Sequence, residues 1–252
     1  MKALNTFIFY ALGVCVSSLP IQGAVAAGDS WSYDGKAGPS HWASLTPEYG
    51  ACAGKNQSPI NLNKFVEADL KNIQFEYTPG GTQIVNNGHS IQINYNQGSD
   101  IILDGQTFNL LQFHFHAPSE NWIDGVSYPM EGHFVHADQD GNLAVVAVMF
   151  AEGQEGEANP ALNEFWKFMP SHMGNKHTLH SPFNAESLLP SDRAYYRFNG
   201  SLTTPPCTEG VRWIVMKHPV TASARQINHF KKVMRKPNNR PIQQANARVI
   251  LE

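Results

Sequence analysis

Short apolar segments, broken at close intervals by turn residues, make up most of this 252-residue chain. From Ile84 onward the segments are rich in β-branched and aromatic side chains, and pairs such as Asp104-Gly105 and Asp140-Gly141 separate them. They lie at residues 90–95, 101–104, 107–116, 130–136, 143–150, 193–199 and 211–218. Because this length and spacing are typical of strands, the chain is predicted to be rich in β-sheet.

Helical periodicity is clear in only two places, residues 159–168, which contain Pro160 near their start, and residues 221–235. Thr221 or Ser223 can cap the second helix. Residues 28–62 are rich in Gly, Pro, Ser and Asn, which indicates an irregular arm lying over the domain. The length favours one large domain, over residues 27–252.

The first 26 residues have the features of a cleaved signal peptide. Lys2 supplies a positive charge, residues 7–19 are apolar, and Ala24-Val25-Ala26 forms a small-residue cleavage pattern. The apolar stretch is shorter than the roughly 20 residues that span a bilayer, so no permanent membrane span is expected. The chain is therefore predicted to be exported, and the periplasm is its expected location.

The charge balance limits the class of partner. Only 15% of the residues are charged, the formal net charge is -3 and the isoelectric point is near 6.4. No strongly basic overall field is present to attract nucleic acid or anionic lipid, so neither is expected as a partner.

Cys52 and Cys207 are the two cysteines that remain after removal of the first 26 residues. An oxidising compartment favours a disulfide between them, and their Gly- and Pro-rich surroundings allow loops that could bring them together. The alternative is a pair of buried free thiols.

Alternating side chains predict a metal site on a strand. Gln112, His114 and His116 share one strand face, while Leu111, Phe113 and Phe115 are expected to face the core. His133 lies seventeen residues after His116 and shares a face with Glu131 and Val135. Pairing of the two strands would bring three imidazoles together, and three nitrogen ligands with one open position are typical of catalytic zinc.

The residues beside the ligands strengthen this interpretation. Gln112 and Glu131 can each accept a hydrogen bond from a ligand imidazole and so fix its orientation. A lone histidine on a strand is more often an ordinary core residue, but a paired pattern with two such partners is harder to obtain by accident. Cobalt and iron also bind three imidazoles, and the expected geometry favours zinc.

Together the motifs resemble the α-class carbonic anhydrases, in particular their exported bacterial members. The resemblance covers nearly the whole chain after the signal peptide. Its main motifs lie at residues 112–116 (Gln-Phe-His-Phe-His), 131–136 (Glu-Gly-His-Phe-Val-His) and 201–207 (Ser-Leu-Thr-Thr-Pro-Pro-Cys). Further matches lie at residues 31–33, 38–42, 57–60 and 87–89.

The resemblance implies a single α/β domain dominated by a large, mostly antiparallel sheet with short helices. It implies a zinc lyase that hydrates carbon dioxide reversibly to bicarbonate through zinc-bound hydroxide, with weak esterase activity. Thr203 is expected to accept a hydrogen bond from the hydroxide and to donate one to Glu120. His89 is the expected proton shuttle, since an imidazole titrates near neutral pH.

The same resemblance implies roles for the residues around the metal. Tyr33, Asn87 and Gln92 are expected to order the waters between metal and shuttle, although other members often have Asn where Gln92 lies. Thr204 is expected near bicarbonate. The residues expected to form the apolar wall for carbon dioxide are Val135, Val145, Leu202 and Trp213. Each of these could also be plain core.

Two other classes of function compete with catalysis. A catalytically silent carbonic-anhydrase-like binding protein would be expected to lack a zinc-binding histidine, and a zinc-storage protein would carry a mobile His- and Asp-rich tract. A homodimer is a further expectation from exported relatives. The remaining histidines receive no functional role: His172, His177 and His180 are expected in a solvated loop, His136 faces away from the ligands, and His41, His218 and His229 form no constellation.

Overall fold

A computed structural model describes residues 31–154 and 157–252. The predicted signal peptide, residues 1–26, and the expected start of the domain at residue 27 lie outside the described residues. Within the described residues, no helix is long and apolar enough to span a membrane.

Strands account for most of the regular structure. In chain order they are β1 (Asn61–Leu62), β2 (Gln74–Glu76), β3 (Gly81–Asn86), β4 (Ile91–Tyr95), β5 (Asp100–Leu103), β6 (Gln106–His116), β7 (Trp122–Ile123), β8 (Met130–Ala137), β9 (Leu143–Glu152), β10 (Lys176–Phe183), β11 (Tyr195–Ser201), β12 (Glu209–Met216) and β13 (Val220–Ala222). The α-helices are α1 (Trp42–Leu45), α2 (Pro160–Trp166) and α3 (Ala224–Met234). Three 3₁₀ helices span Gly35–Ala37, Pro47–Ala53 and Ala185–Leu188.

One 11-stranded sheet forms the centre of the domain. Its main path runs β10-β3-β4-β6-β8-β9-β12-β11, with β5 and β2 continuing from β6 and β13 pairing with β9. Only the β9–β12 and β9–β13 pairings are parallel, and the other pairings in this sheet are antiparallel. The predicted fold class, a single β-dominated α/β domain with a large and mostly antiparallel sheet, is therefore confirmed.

All seven predicted strand segments correspond to strands, namely β4, β5, β6, β8, β9, β11 and β12. Strand β10 was not predicted, and the solvated loop expected around His177 and His180 is wrong because both residues lie on β10. This strand forms an edge of the sheet, so only Leu179 and Phe183 are buried along it and the apolar alternation is lost. His172 precedes β10 and is exposed.

The two predicted helices are α2 and α3, and their termini follow ordinary capping chemistry. The Asn159 side chain accepts hydrogen bonds from two backbone N–H groups of α2, with Pro160 at the first helical position. Ser223 and Gln226 form a reciprocal capping box at the start of α3. Of the two candidate caps, Ser223 is therefore the one used, and Thr221 lies on β13.

The sheet buries a core on each face. Phe113, Phe115 and Phe134 belong to the larger core, which also receives the buried sides of α2 and α3. Val145 and Trp213 belong to the smaller core on the other face. The metal-ligand candidates project from this second face because they alternate with the phenylalanines along β6 and β8.

Leu111 corrects the predicted alternation. It is 47% exposed and does not face the core, whereas its neighbour Leu110 is buried in the larger core. The pairing of β6 with β8 shifts register between Leu110 and Gln112, which indicates a β-bulge. A bulge inserts one residue and reverses the facing of those before it, so the alternation holds only from Gln112 onward.

Over its described residues, 31–62, the predicted arm is irregular, with short helical turns and the two-residue β1. Cys52 and Cys207 form the predicted disulfide and pack with Trp42 in a third buried cluster. The bond links the arm to the loop that follows β11.

Candidate metal centre

Strands β6 and β8 bring the three predicted ligands together. Their antiparallel register pairs His114 with His133 and His116 with Glu131. As a result, one nitrogen of each of His114, His116 and His133 lies within 4.8 Å of the others. His116 and His133 are buried, while His114 is partly exposed at the edge of the cluster.

The second nitrogen of each imidazole lies close to an oxygen atom of a different residue. Nδ1 of His114 lies 2.8 Å from Oε1 of Gln112. Nδ1 of His116 lies 2.7 Å from the carbonyl oxygen of Asn238. Nε2 of His133 lies 2.9 Å from Oε1 of Glu131. Each ring therefore keeps one nitrogen free toward the centre of the cluster, as a metal ligand requires.

The electrostatics favour neutral imidazoles. Burial lowers the pKa of His114 and His133 well below the usual histidine value, and the neighbouring histidines lower it further. Burial also lowers the pKa of His116. A neutral ring is the form that ligates a divalent cation, so the group is prepared for a metal without having to release protons at neutral pH.

Glu131 fixes both a ligand and the loop beside it. Its Oε2 accepts hydrogen bonds from the backbone N–H groups of Glu120 (2.6 Å) and Asn121 (2.9 Å). Its Oε1 accepts one from the Asn121 amide at 2.8 Å. The orientation of His133 and the position of Glu120 therefore depend on the same buried carboxylate.

Glu120 is fully buried next to the imidazoles. Its Oε2 lies 3.5 Å from Nε2 of His116 and 3.8 Å from Nδ1 of His133, and its Oε1 accepts a hydrogen bond from the backbone N–H of Arg240 at 2.7 Å. Burial raises the pKa of Glu120 to about 8, against the opposing effects of that N–H and of the Thr203 hydroxyl. Thr203 and Glu120, which the sequence predicts as partners, thus lie side by side.

His89 lies on a tight turn between β3 and β4. The side-chain oxygen of Asn87 accepts hydrogen bonds from the backbone N–H groups of His89 (2.9 Å) and Ser90 (2.7 Å). Gly88 has a φ of +87°, which favours glycine. The His89 ring stacks on Trp31 with centroids 3.7 Å apart, and burial lowers its pKa.

The predicted water-ordering residues lie around this turn. The Asn87 amide donates to Oε1 of Gln92 at 3.3 Å, and Gln92 is paired with His114 across β4 and β6. The hydroxyl of Tyr33 is buried without a hydrogen-bond partner among the described residues. Burial, followed by the charge of Glu120, raises its pKa well above the usual tyrosine value, so it remains a neutral hydroxyl.

The predicted apolar wall lies beside His133. Val145 and Trp213 are buried in the smaller core, and Val135 and Leu202 pack against it. The rings of Trp213 and His133 are 4.9 Å apart and nearly perpendicular. Thr204 lies in the same loop as Thr203, and its carbonyl oxygen accepts a hydrogen bond from the N–H of Cys207 at 2.8 Å.

Two residues of the site were not predicted. The Asn238 carbonyl contacts His116, and its side-chain amide donates to the carbonyl oxygens of His89 (3.0 Å) and Phe115 (2.9 Å). Arg240 holds Glu120 through its backbone N–H. Neither residue lies in a periodic segment, so no local sequence signal distinguishes them.

One sheet face thus carries three converging imidazoles able to hold a metal ion, a buried carboxyl group beside a threonine, and an apolar wall, an arrangement typical of metal-dependent enzymes. Comparison with known proteins identifies the family. Residues 37–252 match the model of the eukaryotic-type carbonic anhydrase family. A carbonic anhydrase of Pectobacterium atrosepticum is 50% identical over 231 residues, which cover 90% of this chain and 93% of that protein.

Solved structures agree with this assignment. The α-carbonic anhydrase of Thermovibrio ammonificans, solved with the inhibitor sulfanilamide, matches with a TM-score of 0.87 and 47% identity over 89% of this chain and all of that one. Dioscorin complexed with ascorbate matches with a TM-score of 0.82 and 31% identity, covering 88% of this chain and 97% of that one. The chain belongs to the α-carbonic anhydrase family, and its enzyme class is carbonic anhydrase.

Proposed function

We propose that the chain catalyses the zinc-dependent, reversible hydration of carbon dioxide to bicarbonate and a proton. The observation that carries the proposal is the arrangement of the three imidazoles. Each places one nitrogen 2.7–2.9 Å from an oxygen of Gln112, Asn238 or Glu131 and directs the other toward a common centre. Nε2 of His116 is buried and has no hydrogen-bond partner among the described residues, a costly state that a metal ion would relieve.

The donor set fits zinc. Three neutral nitrogens with one open position are typical of catalytic rather than structural zinc sites. When bound, zinc would lower the pKa of a coordinated water so that it can attack carbon dioxide, an effect for which carbonic anhydrase itself is the standard example.

Glu120 and Thr203 would orient the nucleophilic oxygen. A divalent cation near Glu120 would lower its raised pKa and keep the carboxylate ionised, so that it can only accept hydrogen bonds. The Thr203 hydroxyl would then donate to Glu120 and present its own lone pair to the nucleophile. Substrate would lie against the side of the site formed by Val135, Val145, Leu202 and Trp213, with Thr204 near bicarbonate.

His89 would carry the proton to solvent. It is partly exposed, and its turn is held by Asn87, so the ring can exchange protons with bulk water while its backbone stays in place. Waters ordered by Tyr33, Asn87 and Gln92 would span the distance to the metal. The same metal-activated nucleophile would hydrolyse activated esters weakly.

The proposal includes export of the protein. A signal peptide over residues 1–26 would deliver a mature domain of residues 27–252 to the periplasm. Support comes from the Cys52–Cys207 disulfide, because such bonds persist in oxidising compartments.

The test is stopped-flow hydration of carbon dioxide by the purified mature chain, with zinc content measured on the same sample. His116→Ala removes a ligand, and His177→Ala on the exposed edge strand is the matched control. Rapid hydration by the parent and the control, lost together with zinc in His116→Ala, supports the enzyme. A parent that holds one zinc per chain and hydrates no faster than buffer would overturn it in favour of a silent binding protein.

A further inference from the structure

The basic residues are distributed very unevenly along the chain. Residues 210–251 contain nine of the 18 lysines and arginines and no aspartate or glutamate. The net charge of -3 for the whole chain therefore conceals a strongly basic C-terminal region. Helix α3 lies in the middle of this region.

Helix α3 concentrates positive charge on its outer face. Arg225, His229, Lys232 and Lys236 are spaced by four, three and four residues, so they follow one side of the helix and the turn after it. All four are exposed. The opposite side of the helix, with Ile227 and Phe230, is buried in the larger core.

A groove of about 670 Å³ lies between α2 and α3. Because both helices cover the larger core, the groove is on the sheet face opposite the metal centre. Trp166 and Gln226, which are 3% and 5% exposed, line its interior.

The titratable residues that line this groove are lysine, arginine and histidine. Lys167 comes from the end of α2, and Arg225, His229 and Lys232 come from α3. The neutral amides of Asn163 and Asn228 lie among them, and none of the described lining residues is acidic.

Among the residues that the structure describes, these cations have few carboxylate partners. Lys236 pairs with Asp34, but Lys167, Arg225 and Lys232 form no ion pair within the described part of the chain. The Lys167 ammonium lies over the ring of Phe168, 5.0 Å from its centroid. The positive end of the α3 dipole adds to the same field. Convergent like charges without a counter-charge repel one another, so an anion in the groove would relieve that repulsion.

We propose that this groove binds a ligand carrying phosphate groups. Arg225 can contact two phosphate oxygens at once, the lysines supply point charges, and the amides of Asn163 and Asn228 donate further hydrogen bonds. A soluble phosphate ester and the headgroup of an anionic phospholipid share this chemistry.

The test compares two double variants with equal loss of charge on the zinc-loaded mature protein. Arg225→Gln/Lys232→Gln removes two groove cations, and Lys231→Gln/Arg235→Gln removes two exposed cations outside the groove lining. Calorimetry measures binding of a soluble phosphate ester, a hexose bisphosphate. Co-sedimentation measures binding to phosphatidylglycerol vesicles, with phosphatidylcholine vesicles as the uncharged reference. Any anion that binds the metal does so equally in all three proteins and cancels in the comparison.

We expect the groove variant to bind one of the two probes at least tenfold more weakly than the parent, with the control within about twofold. The probe that shows this pattern identifies the source of the phosphate. Equal weakening in both variants would mean diffuse attraction to a basic surface, and absence of binding by the parent to either probe would mean no site. Either result overturns the proposal, and neither depends on the hydration activity.

Discussion

Replacing His136 should remove a specific part of the acid sensitivity of the fold. His136 is fully buried on β8, on the side away from the metal ligands. Its Nε2 lies 2.6 Å from the Tyr77 hydroxyl and its Nδ1 lies 3.3 Å from the carbonyl oxygen of Ala144. Burial lowers its pKa to about 3. A neutral ring satisfies both contacts, whereas a protonated ring would be charged in the core.

The sign and size of the effect follow from proton linkage. Between pH 3 and the unfolded value of about 6.5 the unfolded chain binds a proton at this site that the folded chain does not, so stability falls as pH falls. At about 1.4 kcal/mol per pH unit, this residue alone should cost about 2 kcal/mol of unfolding free energy between pH 7 and pH 5.

The measurement is urea unfolding of the parent and of His136→Gln between pH 5 and pH 7. Glutamine can accept the hydrogen bond from Tyr77 but does not titrate, so any packing cost is constant with pH. The parent should lose about 2 kcal/mol more than the variant across this range. Metal binding and all other histidines contribute equally to both proteins. Parallel pH profiles, within about 0.5 kcal/mol, would refute the assignment of a neutral buried His136.

Three further outcomes are expected. Gln112→Ala frees the His114 ring and should weaken zinc binding by about 10- to 100-fold in a chelator competition assay; unchanged affinity would mean that the contact does not orient the ligand. Replacing Cys52 and Cys207 with serine releases a cross-link between residues 155 positions apart and should lower the unfolding free energy by up to about 5 kcal/mol in urea. An unchanged midpoint would contradict this. His89→Ala should lower kcat at least about tenfold with kcat/KM nearly unchanged, and added imidazole buffer should restore kcat; equal losses in both constants would argue against a proton shuttle.

The convergence of the three candidate metal ligands could be predicted because local rules determine it. Alternation along a strand places His114 and His116 on one face, and antiparallel pairing with the next strand brings His133 opposite. The single failure in this region, Leu111, arose from a bulge. A bulge depends on how two strands pair, and the hydrophobic pattern of one strand does not reveal it.

The contributions of Asn238 and Arg240 could not be predicted, because their contacts are not local in sequence. Their contacts with His116 and Glu120 span 122 and 120 residues of sequence. Both contacts are made by backbone atoms, which every residue possesses, so residue type carries no information about them. The net charge of the chain does not reveal the basic groove between α2 and α3, because acidic residues elsewhere balance the basic C-terminal region.

The segment after α3 contacts parts of the site that lie far apart in the sequence. The Asn238 carbonyl orients His116, its side-chain amide holds the carbonyl of His89, and the N–H of Arg240 holds Glu120. One short segment thus contacts a candidate metal ligand, the proposed proton shuttle and the proposed orienting carboxylate. The Arg240 guanidinium is itself held by arm residues, including a carbonyl oxygen of the disulfide-bonded arm. A displacement of the arm should therefore disturb the positions of His116, His89 and Glu120 together, which links the packing of the arm to the geometry of the site.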